Sequence, residues 1–151
     1  GAQGRDEYRA ELEAMIANRD LNEVVRLVDH CDDMPAAYML TDVVISASTD
    51  PEGFGRVAVE GQALGRPVVA PRHGAAVEQI EQGVTGWLFK PGDADDLARK
   101  LKEALSLNEE ERAAFHNRAI QNVHDRFTND LMCAKTLAVY RELLESRQTR
   151  G

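Results

Sequence analysis

The sequence predicts an α/β fold, a Rossmann-like doubly wound parallel sheet. Short apolar segments rich in β-branched residues alternate with segments of helical character, which is the pattern of consecutive βαβ units. Three further helical segments follow the last apolar segment, and their apolar residues recur at helical spacing. The predicted strands are, in chain order, Val24–Val28, Val43–Ser46, Pro67–Ala70 and Trp87–Phe89.

The predicted helices of the first two thirds of the chain begin and end at residues suited to helix termini. An amphipathic helix is expected at Asp6–Asn18. Pro35–Leu40 is a short helix with proline near its start, a favourable place for that residue. Glu52–Leu64 is expected to end at Gly65, which serves as the C-cap. A further short helix is expected at Ala75–Gln82.

Three helices complete the predicted fold. The first carries one apolar stripe along its length. That stripe consists of Leu97, Ala98, Leu101, Ala104 and Leu105. Asn108 and Glu111 form a capping pair for the second helix, at about Glu109–Asp125. Thr128 or Asn129 caps the third helix. Trp87 lies in an apolar strand, so it is expected in the core rather than on the surface as a stacking platform.

Composition restricts the function classes that the chain can belong to. The 151 residues include 18 basic and 26 acidic side chains, which gives a formal net charge of −8 and argues against nucleic acid as a partner. Cys31 and Cys133 are too few for a disulfide framework or a metal knuckle, which favours a reducing, cytoplasmic compartment. The sequence shows no internal repeat or interdomain linker, no run long enough to span a membrane and no signal peptide, so one domain is expected over residues 1–151.

The segment 52–60 is the main candidate for a binding site. Gly53 and Gly55 lack a Cβ, so the chain can turn tightly there and a ligand can approach the backbone. The free N–H groups and the dipole at a helix start favour a phosphate group. Glu52 and Glu60 are eight residues apart, a little over two helical turns, so both carboxylates are expected on one side of a helix. A hydroxyl-rich ligand with a diphosphate fits this arrangement.

Several ordered motifs resemble one family. Glu-x7-Glu with an internal Gly-Phe-Gly is followed by Gly65-Arg66-Pro67-Val68-Val69-Ala70, then by Gly74-Ala75-Ala76-Val77-Glu78, Gly83-Val84-Thr85-Gly86 and Pro91-Gly92-Asp93. Together these are similar to the retaining glycosyltransferases of GT-B fold, the group 1 glycosyl transferases. Two positions depart from the family pattern, since Gly61-Gln62 replaces Ala-Met and Ala75 replaces the second glycine of a Gly-Gly loop.

The resemblance implies the function of the longer protein. It implies an enzyme, a hexosyltransferase that moves a sugar from a nucleotide-diphosphate donor to a glycan or lipid-linked acceptor in polysaccharide or lipopolysaccharide biosynthesis. The donor is a substrate, and neither a cofactor nor a metal is expected. The absent domain would bring peripheral membrane association at the cytoplasmic face. Two alternatives stay open: a nucleotide-sugar epimerase of GT-B fold, and a non-catalytic nucleotide-sugar-binding or interaction module.

The resemblance also assigns roles to residues. Glu52 is the catalytic candidate and contacts hydroxyls of the donor sugar, and Glu60 holds the ribose hydroxyls. The remaining donor-binding residues are Gly53, Phe54 and Gly55, which face the diphosphate, and Gly74 and Ala75 in the second loop. His73 in that second loop and Glu78 in the helix after it are further candidates, although a lone loop histidine is more often a hydrogen-bonding or surface residue.

By the same resemblance, the chain corresponds to part of the C-terminal, donor-binding domain of such an enzyme. The acceptor domain and the two central strands of the sheet would be absent, and this piece alone would be inactive because half of the cleft is missing. Val24–Val28 would then lose its neighbours, and Val43–Ser46 would expose an edge. Three outcomes are expected to compensate: the two strands pair directly, a strand-swapped dimer forms, or the chain derives from a longer protein.

Overall fold

A computed structural model describes residues 2–148, and it divides the chain into two units, residues 1–34 and 35–151. The first unit contains helix α1, Ala2–Asn18, followed by a segment without regular secondary structure. Arg9 on α1 pairs with Glu13, one turn along the helix, at 3.0 Å and with Asp29 at 2.6 Å. The predicted helix at 6–18 is therefore confirmed and begins earlier than expected.

The predicted strand Val24–Val28 is wrong. Residues 24 and 25 instead close turns, in which their N–H groups donate to the carbonyl of Leu21 at 3.0 and 2.8 Å. Val24 and Val28 are 76% and 82% exposed. A β-branched segment becomes a strand only when a neighbouring strand accepts its backbone hydrogen bonds, and no described strand pairs with this one.

The second unit is built on a three-stranded parallel sheet. Its strands are β1, Val44–Ile45; β2, Val68–Pro71; and β3, Trp87–Phe89, in the order β1-β2-β3. Val44 pairs with Val68, and Val69 pairs with Trp87. All three strands lie within or beside the predicted ranges, and β1 forms an edge of the described sheet, as expected. The Rossmann-like α/β fold is therefore confirmed.

Helices connect these strands and follow them. They are α2, Met34–Met39; α3, Arg56–Ala63; α4, Ala76–Gln79; α5, Ala94–Leu105; α6, Glu109–Arg126; and α7, Asn129–Gln148. The predicted capping box of α6 is confirmed: Asn108 accepts from the N–H of Glu111, and Glu111 accepts from the N–H of Asn108, both at 2.9 Å. Thr128 rather than Asn129 caps α7, because its hydroxyl accepts from the N–H of Leu131 at 3.3 Å.

Hydrophobic clusters cover both faces of the sheet. Neighbouring residues of β2 point to opposite faces, so Val68 and Ala70 join one cluster and Val69 joins the other. The first cluster consists of Tyr38, Val44, Ala58, Val68, Ala70, Ile80 and Leu88. The second consists of Val69, Trp87, Phe89, Ala104, Phe115 and Ala119. Trp87 is a core residue, as expected, and stacks on Phe115 with ring centroids 5.2 Å apart.

Helix α3 is shorter than the predicted helix 52–64, and the difference changes the position of Glu52. The helix begins at Arg56, because its N-cap Gly55 adopts a left-handed conformation with φ 68° and ψ 67° that a helix cannot contain. Glu52 therefore lies in the loop before α3 rather than in its first turn. The expectation that Glu52 and Glu60 share one face of a helix is wrong, since only Glu60 is helical.

Candidate functional site

Two loops meet at the carboxyl ends of β1 and β2. One runs from β1 to α3 and contains Glu52, Gly53, Phe54 and Gly55; the other runs from β2 to α4 and contains His73, Gly74 and Ala75. Adjacent parallel strands place such loops side by side, and ligands of open α/β sheets bind in the crevice that the loops form. The topology therefore brings two motifs that are separate in sequence to one edge of the sheet.

Glu52 lies where the two loops interlock. Its backbone carbonyl accepts a hydrogen bond from the N–H of Ala75 at 3.1 Å. A Cβ placed on Gly74, whose φ is +54°, would lie 2.6 Å from that carbonyl oxygen and 2.9 Å from the Glu52 nitrogen. Only glycine fits such a close approach, so the second loop fixes the backbone of Glu52. Ser48 donates to its carboxylate at 2.5 Å.

Two adjoining hollows border Glu52. A small cavity of about 20 Å³ lies between Glu52, Gly55, His73 and Gln79, with hydroxyl-bearing Ser46 and Ser48 on its wall. An open groove lies on the other side. The groove is lined by Glu52, Gly53, Phe54, Gly74, Ala75, Glu78, Gln79 and Phe127. These walls combine a carboxylate, hydroxyl groups, glycine backbone and an aromatic ring, which together suit a polar ligand with an apolar face.

Helix α6 supports the groove from behind. The ring of Phe54 packs edge-on against Phe127, with centroids 6.3 Å apart. The guanidinium of Arg126 lies 4.9 Å above the Phe127 ring and donates to the carbonyl of Glu78 at 2.5 Å. The same guanidinium donates to Asn122 at 3.0 Å. The end of α6 and the residue after it thereby contact the first loop, through Phe127, and helix α4, through Arg126.

Glu60 occupies a different position. It lines neither hollow, and both of its carboxylate oxygens have protein partners. Tyr38 donates to one oxygen at 3.0 Å, and Arg56 approaches the other at 2.7 Å through Nη2 and 2.9 Å through Nε. Burial, together with the hydrogen bond to Glu60, raises the pKa of Tyr38 to about 12.

The structure thus groups most of the residues that the sequence predicted. Glu52, Gly53, Phe54, Gly55, Gly74 and Ala75 border the two hollows, as do the further candidates His73 and Glu78. Glu60 lies apart from them. Sequence reasoning missed Gln79, Ser46 and Ser48. The two serines follow β1 directly, and hydroxyls at the end of a predicted parallel strand are a usable signal; Gln79 carries no such signal because its partners lie far away in sequence.

Two findings concern the whole described range. Among residues 2–148, no three His, Cys, Asp or Glu side chains are grouped so that they could hold a metal ion. Within the same range, no helix combines the length and the apolar character needed to cross a membrane.

The fold belongs to a known class of protein. The Rossmann-like sheet with its helices is shared with GT-B glycosyltransferases of known structure. Residues 3–122 match the family model described as Glycosyl transferases group 1. Since this match covers most of the chain, the chain belongs to the group 1 glycosyl transferase family.

Individual relatives agree with this assignment. A glycosyltransferase from Rickettsia africae ESF-5 is 33% identical, with a TM-score of 0.87 over 92% of this chain and 37% of the other. Anabaena HepE, solved in complex with UDP-glucose, is 33% identical with a TM-score of 0.80, over 90% of this chain and 38% of the other. The capsular polysaccharide biosynthesis glycosyltransferase CapM of Staphylococcus aureus is 26% identical over 84% of this chain and 33% of its own length.

The chain spans about a third or less of the length of the curated relatives it matches.

Proposed function

We propose that this chain is the nucleotide-sugar donor-binding part of a retaining glycosyltransferase, which transfers a hexose to a glycan or lipid-linked acceptor. The observation that carries the proposal is the interlock of two loops around Glu52 at the carboxyl ends of β1 and β2. The complex of Anabaena HepE with UDP-glucose, at 33% identity, supports a nucleotide sugar as the ligand.

The roles proposed for the residues follow from their positions. Glu52 borders both hollows and accepts hydrogen bonds from hydroxyls of the sugar, since a carboxylate is a strong acceptor for such groups. The diphosphate lies at the start of α3, where the first N–H groups have no partner within the helix and the dipole favours negative charge. The glycines on either side of Phe54 allow the phosphate oxygens to approach the backbone.

Glu60 is proposed to hold the ribose hydroxyls, and its present partners determine how it can do so. Tyr38 is buried, so its hydrogen bond to one carboxylate oxygen of Glu60 is retained when a ligand binds. The Arg56 side chain, which pairs with the other oxygen, is 83% exposed. An exposed ion pair contributes little free energy, so Arg56 can release its carboxylate oxygen to a ribose diol at small cost. Replacement of Glu60 by alanine is expected to weaken nucleotide affinity by about tenfold, the loss of one charge-assisted hydrogen bond.

Calorimetric titration of the full-length protein with UDP-, GDP- and ADP-sugars tests donor binding and identifies the nucleotide. Glu60→Ala should bind the preferred nucleotide more weakly than the wild type does, and Glu81→Ala, an exposed carboxylate outside both hollows, is the matched control. An unchanged affinity in Glu60→Ala would refute the ribose assignment.

Transfer of labelled sugar from the preferred donor to an acceptor separates this function from its alternatives. Epimerisation of the donor without an acceptor would identify an epimerase, and binding without turnover would identify a non-catalytic module. The anomeric configuration of the product, read from its proton NMR coupling, tests retention. The isolated 151-residue chain is expected to give no transfer, because proximity between donor and acceptor requires both walls of a cleft.

A further inference from the structure

The side chains of Gln62 and Asn122 and the backbone carbonyl of Gln79 form a hydrogen-bonded network next to the two loops. Gln62 on α3 and Gln79 at the end of α4 are 0% and 1% exposed, and Asn122 on α6 reaches both of them. The backbone carbonyl of Gln79 accepts from Gln62 Nε2 at 3.2 Å and from Asn122 Nδ2 at 2.9 Å. Asn122 Nδ2 also donates to Gln62 Oε1 at 2.8 Å. The position of Gln79 is therefore fixed from two helices.

Only one of the two polar atoms of the Gln79 side chain has a hydrogen-bond partner among the described residues. Its Nε2 donates to the carbonyl of Phe54 in the β1–α3 loop, which orients the amide. Its Oε1 is covered and has no hydrogen-bond partner among the described residues. The large majority of buried side-chain polar atoms in folded proteins have a hydrogen-bond partner, because a buried acceptor without a donor destabilises the folded state.

The unpaired oxygen belongs to a residue on the wall of the small cavity beside Glu52. His73 lies on the same wall, and neither of its ring nitrogens has a partner among the described residues. A neutral imidazole offers one N–H donor and one acceptor, and the Glu52 carboxylate offers acceptors. Together with the hydroxyls of Ser46 and Ser48, these groups give the cavity both acceptors and donors, a set that suits a hydroxyl group, which both donates and accepts.

We propose that Gln79 is a specificity-determining residue of the donor site, whose Oε1 accepts a hydrogen bond from one hydroxyl of the sugar bound beside Glu52. This inference rests on the proposed function and assigns to the sugar a contact that the motif residues do not provide. The hydrogen bond that Gln79 Nε2 donates to the carbonyl of Phe54 holds the amide in one orientation, so it can distinguish a sugar with that hydroxyl from one without it.

A thermodynamic cycle tests the inference in the full-length protein: the affinities of the wild type and of a Gln79 variant are compared for a parent sugar and for analogues that lack one hydroxyl. The ligands are UDP-glucose and its 2-, 3-, 4- and 6-deoxy analogues, or the same series on GDP or ADP if that nucleotide binds better. The wild type should bind one of the analogues about 3- to 10-fold more weakly because it lacks the contacted hydroxyl. Gln79→Met, which removes the acceptor and keeps the side-chain length, should bind that analogue and the parent sugar equally well.

Gln62→Met is the matched control, since it removes another buried amide of the network that does not border the cavity. It should lower stability but keep the wild-type preference among the five ligands. If Gln79→Met kept the wild-type preference against every analogue, the inference would be overturned while the proposed function stood. If the wild type bound no nucleotide sugar at all, both would fail.

Discussion

Tyr38 is the residue that connects the core to the predicted ribose contact. It is 6% exposed, belongs to the hydrophobic cluster on one face of the sheet, and donates to Glu60 at 3.0 Å. Its pKa in the folded protein is raised from 10.0 to about 12, first by burial and then by Glu60. The folded state therefore favours the protonated phenol. Its contribution to stability is complete below about pH 10 and is lost as the pH rises to about 12.

We expect Tyr38→Phe to lower the free energy of unfolding at pH 7 by about 1–2 kcal/mol, since it removes a hydrogen bond to a charged group. Its stability should also fall less steeply than that of the wild type between pH 10 and 12. Urea denaturation over that pH range measures both effects. Tyr8→Phe and Tyr140→Phe are controls, because those rings are 61% and 60% exposed. An alkaline dependence as steep in Tyr38→Phe as in the wild type would contradict the assignment.

The backbone conformation of the loops depends on glycine at particular positions. Gly74 and Gly83 both have positive φ, +54° and +74°, so alanine is strained at either position. A Cβ at Gly83 meets no atom within 4 Å, whereas a Cβ at Gly74 would collide with the backbone of Glu52. Backbone strain is therefore common to the two positions, and displacement of Glu52 is specific to one.

We expect Gly74→Ala and Gly83→Ala each to lower stability by about 1 kcal/mol or more through left-handed strain. Gly74→Ala should additionally weaken donor binding at least tenfold, because Glu52 must move with its loop. Thermal denaturation and calorimetric titration of the two variants separate these effects. Equal donor affinities in two folded variants would show that the interlock does not set the position of Glu52.

At the scale of the whole molecule, the two hydrophobic clusters draw on the sheet, on α2 to α6 and on the turns between them. No described residue of α7 belongs to either cluster. Helix α7 instead exposes apolar side chains along its length. These are Met132, Leu137, Val139, Tyr140, Leu143 and Leu144, each at least 51% exposed. Helix α6, in contrast, places Phe115 and Ala119 in the core, so the two C-terminal helices differ in their importance to the fold.

We expect a chain truncated after Thr128 to keep its fold, with a melting temperature within about 5 °C of the intact chain, because burial in the core supplies most of the stability. A chain truncated after Ala113 should be unfolded, since it loses Phe115 and Ala119. Circular dichroism spectra and melting curves of the three chains provide the measurement. Loss of cooperative unfolding in the chain that ends at Thr128 would show that α7 is part of the core.

Local signals predicted much of this fold because their causes are local. Trp87–Phe89 is a continuous apolar run and forms β3 with the predicted bounds. Asn108 and Glu111 lie three residues apart and bond to each other's backbone, so the start of α6 was predicted correctly. The glycines and the Glu-Gly-Phe-Gly run indicated a binding turn. Six of the seven predicted site residues lie around two adjoining hollows, because the pairing of β1 with β2 brings their two loops together.

Other features depend on residues far apart in the chain. Val24–Val28 has the composition of a strand, but a strand needs a neighbour, and the described sheet provides none. The pairing of Glu60 with Tyr38 spans 22 residues, and the bond from Asn122 to Gln62 spans 60. The unpaired oxygen of Gln79 exists only because the fold buries it beside Glu52.

The sequence by itself therefore determined the fold class, the family and the segment that carries most of the candidate site. Helix caps, turns and apolar periodicity act between neighbours along the chain, so they can be read from the sequence. The tertiary structure decided that Glu52 is a loop residue held by Gly74, that Glu60 lies apart from it, and that Gln79 borders the cavity. Those outcomes follow from strand pairing and side-chain packing, which are set by contacts between distant segments rather than by local sequence.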